Sequence, residues 1–144
     1  MSLFLILLAA GDSKRLKSAT PKPYHLVGNK TLLEYSAESF KDFKEIKKTV
    51  FVYNKKHKKY LKKIKLKKYL KITGGTTRQE STFKALKKIK RMGCKKVLIH
   101  DSARPSPPKE LIKKIIYNLK KNHAVVPVIN INDATKRVKK NIIF

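Results

Sequence analysis

Five short apolar runs, separated by segments of helical periodicity or of mixed polar residues, fix the class of fold open to this chain. Leu3–Leu8 is continuously apolar, as a strand covered on both faces must be. Thr49–Tyr53, Tyr69–Thr73, Val97–His100 and Ala124–Val128 follow at similar length. No run carries the two-residue turn signal that would join neighbours antiparallel. Between the runs, Thr31-Leu32-Leu33-Glu34 and Thr77-Arg78-Gln79-Glu80 read as capping boxes, each opening a helix. Phe83, Leu86 and Ile89 mark the expected inner face of the second. Lys55–Lys63 reads as a short surface helix. Ser106-Pro107 starts a further helix with the stripe Leu111, Ile112, Ile115, Ile116 and Leu119. Alternation of this kind predicts a three-layer α/β/α, Rossmann-like domain with a mainly parallel sheet, one domain over residues 1–144.

Composition sets bounds on function. Lys and Arg number 37 against 9 Asp and Glu, a net charge of +28. Such a charge invites a nucleic-acid reading, because basic surfaces bind phosphates by releasing counterions. Yet only five of the cations are Arg, Trp is absent, and the lysines occur in every helix and turn. Lys, Ile and Asn make up 52 of 144 residues, a bias toward A/T-rich codons. Generic basicity with nonspecific nucleic-acid binding at low salt is the expectation. A lone Cys94 rules out an internal disulfide framework and a cysteine-based zinc site. The apolar start is short and has no Lys or Arg before it, so it reads as a strand and not a leader. No run approaches the ~20 residues that span a bilayer; a cytoplasmic protein without membrane contact is expected.

Ligands of open parallel sheets bind beyond the carboxyl ends of the strands. That rule selects Ala9–Pro23, the turn after Tyr53, Gly74–Ser81 and Asp101–Pro105. In the first loop, Ala9, Ala10 and Gly11 let backbone amides approach an anion, Gly11 by allowing a turn closed to other residues. Lys14, Arg15 and Lys22 add cations. The loop lacks the second Gly followed by Lys and Ser/Thr of a P-loop and the third Gly of the dinucleotide fingerprint. Asp101 ends a buried strand, a costly place for an unpaired carboxylate; it serves a ligand or pairs with Arg104. His100 reads as a packed strand-end histidine and Cys94 as inert.

Ala9-Ala10-Gly11-x-x-x-Arg15-Leu16 followed by Pro21-Lys22 resembles the signature of sugar-phosphate cytidylyl- and uridylyltransferases, with Ser13 where a second Gly is usual. Gly74-Gly75-x-x-Arg78-x-x-Ser81, His100-Asp101-Ser102-Ala103-Arg104-Pro105 and Asp133-Ala134-Thr135-Lys136-Arg137 resemble segments of the 2-C-methyl-D-erythritol 4-phosphate cytidylyltransferase family. The resemblance runs from residue 3 to about 140. It implies transfer of CMP from CTP to 2-C-methyl-D-erythritol 4-phosphate with release of pyrophosphate, a step of non-mevalonate isoprenoid precursor synthesis. Arg15 and Lys22 would then be the catalytic cations, with Mg²⁺ bridging the triphosphate. Ala9, Ala10, Gly11, Gly74, Gly75, Arg78 and Ser81 would hold the nucleotide. Asp101, Ser102, Arg104 and Thr135 would hold the acceptor. Ala134 stands where a phosphate-binding Thr is common.

The resemblance further implies a homodimer joined by a β-arm after the fifth run. The chain stops at Phe144 within that arm, so a truncated product or fragment is expected, with poor turnover unless the remainder is supplied. Two alternatives stay open: ribitol 5-phosphate as acceptor, and a non-catalytic polyanion- or RNA-binding domain.

Overall fold

A computed structural model describes residues 2–13, 16, 18–66, 69–130, 138–139 and 142–143. At its centre lies β1 (Leu3–Ala9), all seven residues of which are buried. Period-2 alternation sends Leu3, Leu5, Leu7 and Ala9 to one face and Phe4, Ile6 and Leu8 to the other. Both faces are apolar because both are covered. On the first lie α1 (Leu32–Glu38), through Leu33 and Ala37, and α4 (Lys109–Lys121), through Ile112, Ile116 and Leu119. On the second lies α3 (Arg78–Lys90), through Ala85 and Ile89.

β1 pairs in parallel with β4 (Ile46–Tyr53) on one side and β6 (Lys96–Asp101) on the other. β5 (Leu70–Thr73) adds in parallel to β4, giving the order β5-β4-β1-β6. The chain winds outward from β1 to β4 and β5, then returns past β1 to β6. That reversal is a topological switch point, and the crevice beyond it lies at the strands' carboxyl ends. A short antiparallel pair, β2 (Leu26–Val27) and β3 (Lys30–Thr31), leads into α1, and α2 (Lys58–Leu61) follows β4 after a 3₁₀ turn at Lys55–His57. Another two-stranded pair, β7 (Val138–Lys139) with β8 (Ile142–Ile143), falls where the arm is expected.

Local sequence explains the helix starts. Thr31 Oγ1 accepts from the Glu34 amide at 3.2 Å, and Glu34 Oε2 accepts from the Thr31 amide at 2.8 Å, a complete capping box. At Thr77 only half of the expected box forms. Thr77 Oγ1 accepts from the Glu80 amide at 3.0 Å, but the Glu80 carboxylate turns to Thr76 instead. α4 begins at Lys109, two residues past Pro107.

Two expectations are corrected. Phe83 is 65% exposed. The buried stripe of α3 is Ser81, Ala85 and Ile89, and Phe83, two residues from Ser81, points about 200° away from it. The small side chains in that stripe let the helix sit close to β1 and β4. Secondly, Ala124–Val128 forms no strand; Val126 and Val128 are exposed and only Val125 packs on the core. An apolar run signals burial or pairing, but a strand also needs a ladder, and no described strand supplies one here. Pro127 further removes one ladder donor.

His57 and His100 give a pH prediction. Burial lowers the basicity of both rings, more than the Asp12 carboxylate near His57 or the Arg104 carbonyl at His100 can restore. The unfolded chain therefore takes up protons first as the pH falls. Stability should be fully present above the ordinary imidazole value of about 6.5 and decline below it. The buried or paired carboxylates act only at lower pH, because Glu34, Asp42 and Glu80 are all held below the usual range. Urea midpoints measured at pH 7.5 and 5.5 should fall at the lower pH; equal midpoints would contradict these assignments.

Candidate active site

Beyond the carboxyl ends of β1, β4, β5 and β6 lies a cleft of about 950 Å³, lined among others by Ala10, Gly11, Lys22, Gly75, Arg78 and Asp101. It is large enough for a nucleotide. All four loops selected by the strand-end rule line it.

The first wall is the segment after β1. Asn54, at the end of β4, donates its side-chain amide to Asp12 Oδ1 at 2.8 Å and to the Ala10 carbonyl at 3.3 Å. His57 Nε2 stands 3.6 Å from the same Asp12 oxygen. Asn54 escaped the sequence reading because its neighbours are lysines; its place at a strand's carboxyl end was the available signal. Gly11 does not make the left-handed turn expected of it. Its Cα faces open space, and the left-handed residue is Ser13, at φ +53°. Ser13 Oγ accepts from the Lys22 amide at 2.8 Å. Lys22 is exposed at the mouth and lacks an acidic partner among the described residues. Lys14 and Arg15 lie outside the described residues.

The second wall runs from β5 into α3. Gly74 donates to the Tyr53 carbonyl at 2.8 Å, and Gly75 donates to Ser81 Oγ at 3.0 Å. Ser81, itself buried, thus fastens the loop onto α3. A Cβ at Gly74 would lie 2.7 Å from both Ala10 Cβ and Ser81 Oγ, and one at Gly75 would collide with Glu80. Gly74 therefore needs glycine for close approach, whereas at Gly75 the Glu80 side chain would have to move aside. Glu80 accepts from the Thr76 amide at 2.7 Å and the Thr76 hydroxyl at 2.8 Å, and pairs with Lys84 at 2.8 Å. The Lys84 ammonium, with the two Thr76 donors, holds the Glu80 carboxyl down to about 2. Gly74→Ala should drive the Ala10 and Ser81 segments apart and cost about 1–3 kcal/mol as overpacking does. Thermal unfolding checks this, and an unchanged midpoint would show that the loops yield.

The third wall is the end of β6. Asp101 Oδ1 accepts from Arg78 Nη2 at 3.1 Å and Nε at 3.3 Å, while Arg104 Nε lies 3.7 Å from Oδ2. Asp101 thus pairs with Arg104, as one reading of it expects, and also with Arg78, at the wall of the cleft. Arg78, expected over the nucleotide, here spans to Asp101. Ser102 is corrected. It is fully buried, its Oγ donates to the Leu8 carbonyl at 2.6 Å, and its carbonyl accepts from Ser36 Oγ at 2.8 Å. It supports the loop from beneath and does not reach a ligand. His100 packs edge-on against Phe40 and donates from Nε2 to the Arg104 carbonyl at 2.8 Å, as a structural histidine should. The partly buried Cys94 thiol donates to the Lys96 carbonyl, and burial raises it further from the reactive thiolate. Thr135, with the rest of Asp133–Arg137, lies outside the described residues.

A mainly parallel α/β sheet with a glycine-lined, cation-rimmed cleft at its switch point places the chain in the doubly wound α/β class, whose ligands bind at that point. The family model described as "IspD: 2-C-methyl-D-erythritol 4-phosphate cytidylyltransferase" matches residues 3–144. The chain belongs to that family. It is 45% identical over 137 residues to the bifunctional enzyme IspD/IspF of Pelagibacter ubique, covering 95% of this chain and 37% of that one. It is 34% identical over 142 residues to the 2-C-methyl-D-erythritol 4-phosphate cytidylyltransferase of Idiomarina loihiensis, covering 94% of this chain and 55% of the relative. Among solved structures, the 4-diphosphocytidyl-2C-methyl-D-erythritol synthase of Anaerococcus prevotii superposes with a TM-score of 0.81 at 32% identity, covering 99% of this chain and 61% of that one. The chain therefore spans between about a third and three fifths of the length of these relatives. No helix among the described residues is long and apolar enough to cross a membrane.

Proposed function

We propose that the cleft binds CTP and serves transfer of CMP to 2-C-methyl-D-erythritol 4-phosphate, releasing pyrophosphate. The observation that carries this reading is the convergence of Ala10–Ser13, Lys22, Gly74–Ser81 and Asp101–Arg104 on one cleft. The acceptor phosphate is already anionic, so its attack on the α-phosphorus needs no strong base. What the chain must supply is position and positive charge where charge builds. Lys22 contributes that charge at the mouth of the first loop, and Arg15 joins it on this reading. Gly74 and Gly75 line the cleft where the base would lie, and backbone carbonyls there can accept from the 4-amino group that uracil lacks. Asp101 faces the acceptor's hydroxyls, with Arg104 beside it for the acceptor's phosphate. On the family resemblance Thr135 would add to the acceptor's contacts.

Mg²⁺ supplies charge neutralisation when it arrives on the nucleotide's phosphates. Asp12 and Asp101 offer single carboxylates there, and the described residues contain no cluster of three ligating side chains. That donor set fits an ion held mainly by substrate phosphates. On the same reading the protein works in the cytoplasm and as a homodimer through the arm after residue 131. A pyrophosphate-release assay tests the reaction: CTP with methylerythritol phosphate should give product where UTP, ATP or ribitol 5-phosphate give little. Equal rates with ribitol 5-phosphate would move the acceptor assignment to that branch.

A further inference from the structure

Ser13 carries a feature that the family pattern, with glycine at this place, cannot have. Its backbone lies at φ +53°, a left-handed region that a non-glycine residue adopts only with strain. A serine held there needs an offsetting contact. Its Oγ supplies one by accepting from the Lys22 amide, nine residues on, at 2.8 Å. That amide is otherwise unclaimed. Lys22 opens the 3₁₀ turn Lys22–Tyr24, and Pro21 before it provides no side-chain cap. The far side of the loop is anchored separately: Tyr60 donates its hydroxyl to the Ala19 carbonyl at 3.1 Å, and Pro23 and Tyr24 are buried. On the near side, Asp12 is held by Asn54. Ser13 joins these two anchored halves where Lys22 enters the cleft.

We infer that Ser13 is a positioning residue that fixes Lys22 against the first loop, a pin that a glycine at position 13 would lack. The inference rests on the reading of the cleft as a CTP site. A hydroxyl acceptor removes slack between the anion-binding amides and the one described cation of this loop. Lys22 then meets the triphosphate with less ordering to be done on binding.

Three variants of the full chain separate this from a merely structural role. Ser13→Gly removes both the strain and the acceptor, so its thermal midpoint should stay near that of the parent. Ser13→Ala keeps the strain and loses the acceptor, so it should unfold earlier. Ser13→Asn tolerates the left-handed backbone and retains an acceptor oxygen. Amide exchange at Lys22 reads the pin without any ligand: it should quicken about tenfold in Ser13→Gly and Ser13→Ala and return toward the parent rate in Ser13→Asn. Titration with CTP and Mg²⁺ reads its effect: affinity should fall about three- to tenfold in the glycine and alanine variants and be restored by asparagine. Unchanged Lys22 exchange in Ser13→Gly, or parental CTP affinity in both Gly and Ala variants, overturns the inference. A parent chain that binds no CTP overturns the reading of the cleft and the functional half of this inference together, while the exchange data still decide whether the pin exists.

Discussion

Lys22→Ala should lower CMP transfer from CTP by about two to three orders of magnitude, the range lost when a single charge-stabilising donor is removed from a reaction of this kind. CTP affinity should fall about tenfold or more. The thermal midpoint should move by no more than about a degree. The separation follows from where the residue sits. Its side chain is exposed at the cleft, with no acidic partner among the described residues, so the fold does not depend on its charge. Its backbone amide is held by Ser13 and its neighbours Pro21 and Pro23 are buried, so the turn persists when the side chain is truncated. With net charge +28, loss of one cation elsewhere should change CTP affinity little. Lys71→Ala, on the exposed edge of β5, is the matching control. Parallel losses in both variants would mean that bulk charge, and not the placement of Lys22, drives binding.

Glu34→Ala should produce the largest loss of stability, about 3 kcal/mol, from the several buried hydrogen bonds to one ionised carboxylate. Glu34 is buried, and its Oε2 accepts from both the amide and the hydroxyl of Thr31, at 2.8 and 2.7 Å. Its Oε1 accepts from the Lys65 amide at 3.0 Å, joining α1 to the segment before β5. Burial alone would push this carboxyl up; the hydrogen bonds from Thr31 and Lys65 outweigh it and hold it below the ordinary value. Its stabilising effect is thus present above the ordinary carboxylate range and disappears as the pH falls through its lowered value. Truncation leaves three donors without an acceptor. Thr31→Ala, which loses only one side of the cap, should cost about 1 kcal/mol. Urea denaturation of the two variants checks the ratio, and equal losses would show that the amide bonds from Thr31 and Lys65 to Glu34 add nothing beyond the Thr31 side chain.

Glu34 also shows how far the sequence could be read. Its capping role was legible from four adjacent residues, because a cap is a local device. Its bond to Lys65, 31 residues away, was not, because nothing in the spacing marks that contact. The same division holds throughout. β1 was legible from an unbroken apolar run, and the strand-end rule located all four loops of the cleft. Phe83 was misplaced because three apolar residues at helical spacing suggested a face; Ile89 is on the buried one, but the small Ser81 and Ala85 complete it in place of Phe83. Ala124–Val128 had strand composition but lacks a partner among the described strands. Ser102 sits inside a motif whose neighbours face the cleft, and its burial with its hydrogen bond to Leu8, neither marked in the sequence, turns it inward. Asn54 and Asp12 lie 42 residues apart and meet only because β1 and β4 are adjacent.

The net charge, prominent in the composition, has a narrower role in the site. Among the described residues Lys22, Arg78, Lys84 and Arg104 line the cleft, with Lys55 and Lys56 beside them. Most other lysines lie outside it. Binding of anions to those lysines should be sensitive to salt, whereas cleft binding should show selectivity for the base.

The central claim, that this cleft is a CTP site, is tested most directly by nuclear magnetic resonance titration of the labelled chain with CTP and Mg²⁺ at 150 mM salt, with ATP in parallel. The expected result is saturable shifts confined to the amides of Ala10, Gly11, Ser13, Gly74, Gly75 and Ser81, produced by CTP and not matched by ATP. Shifts scattered over the lysine-bearing surfaces, equal for the two nucleotides and abolished by the salt, would contradict it.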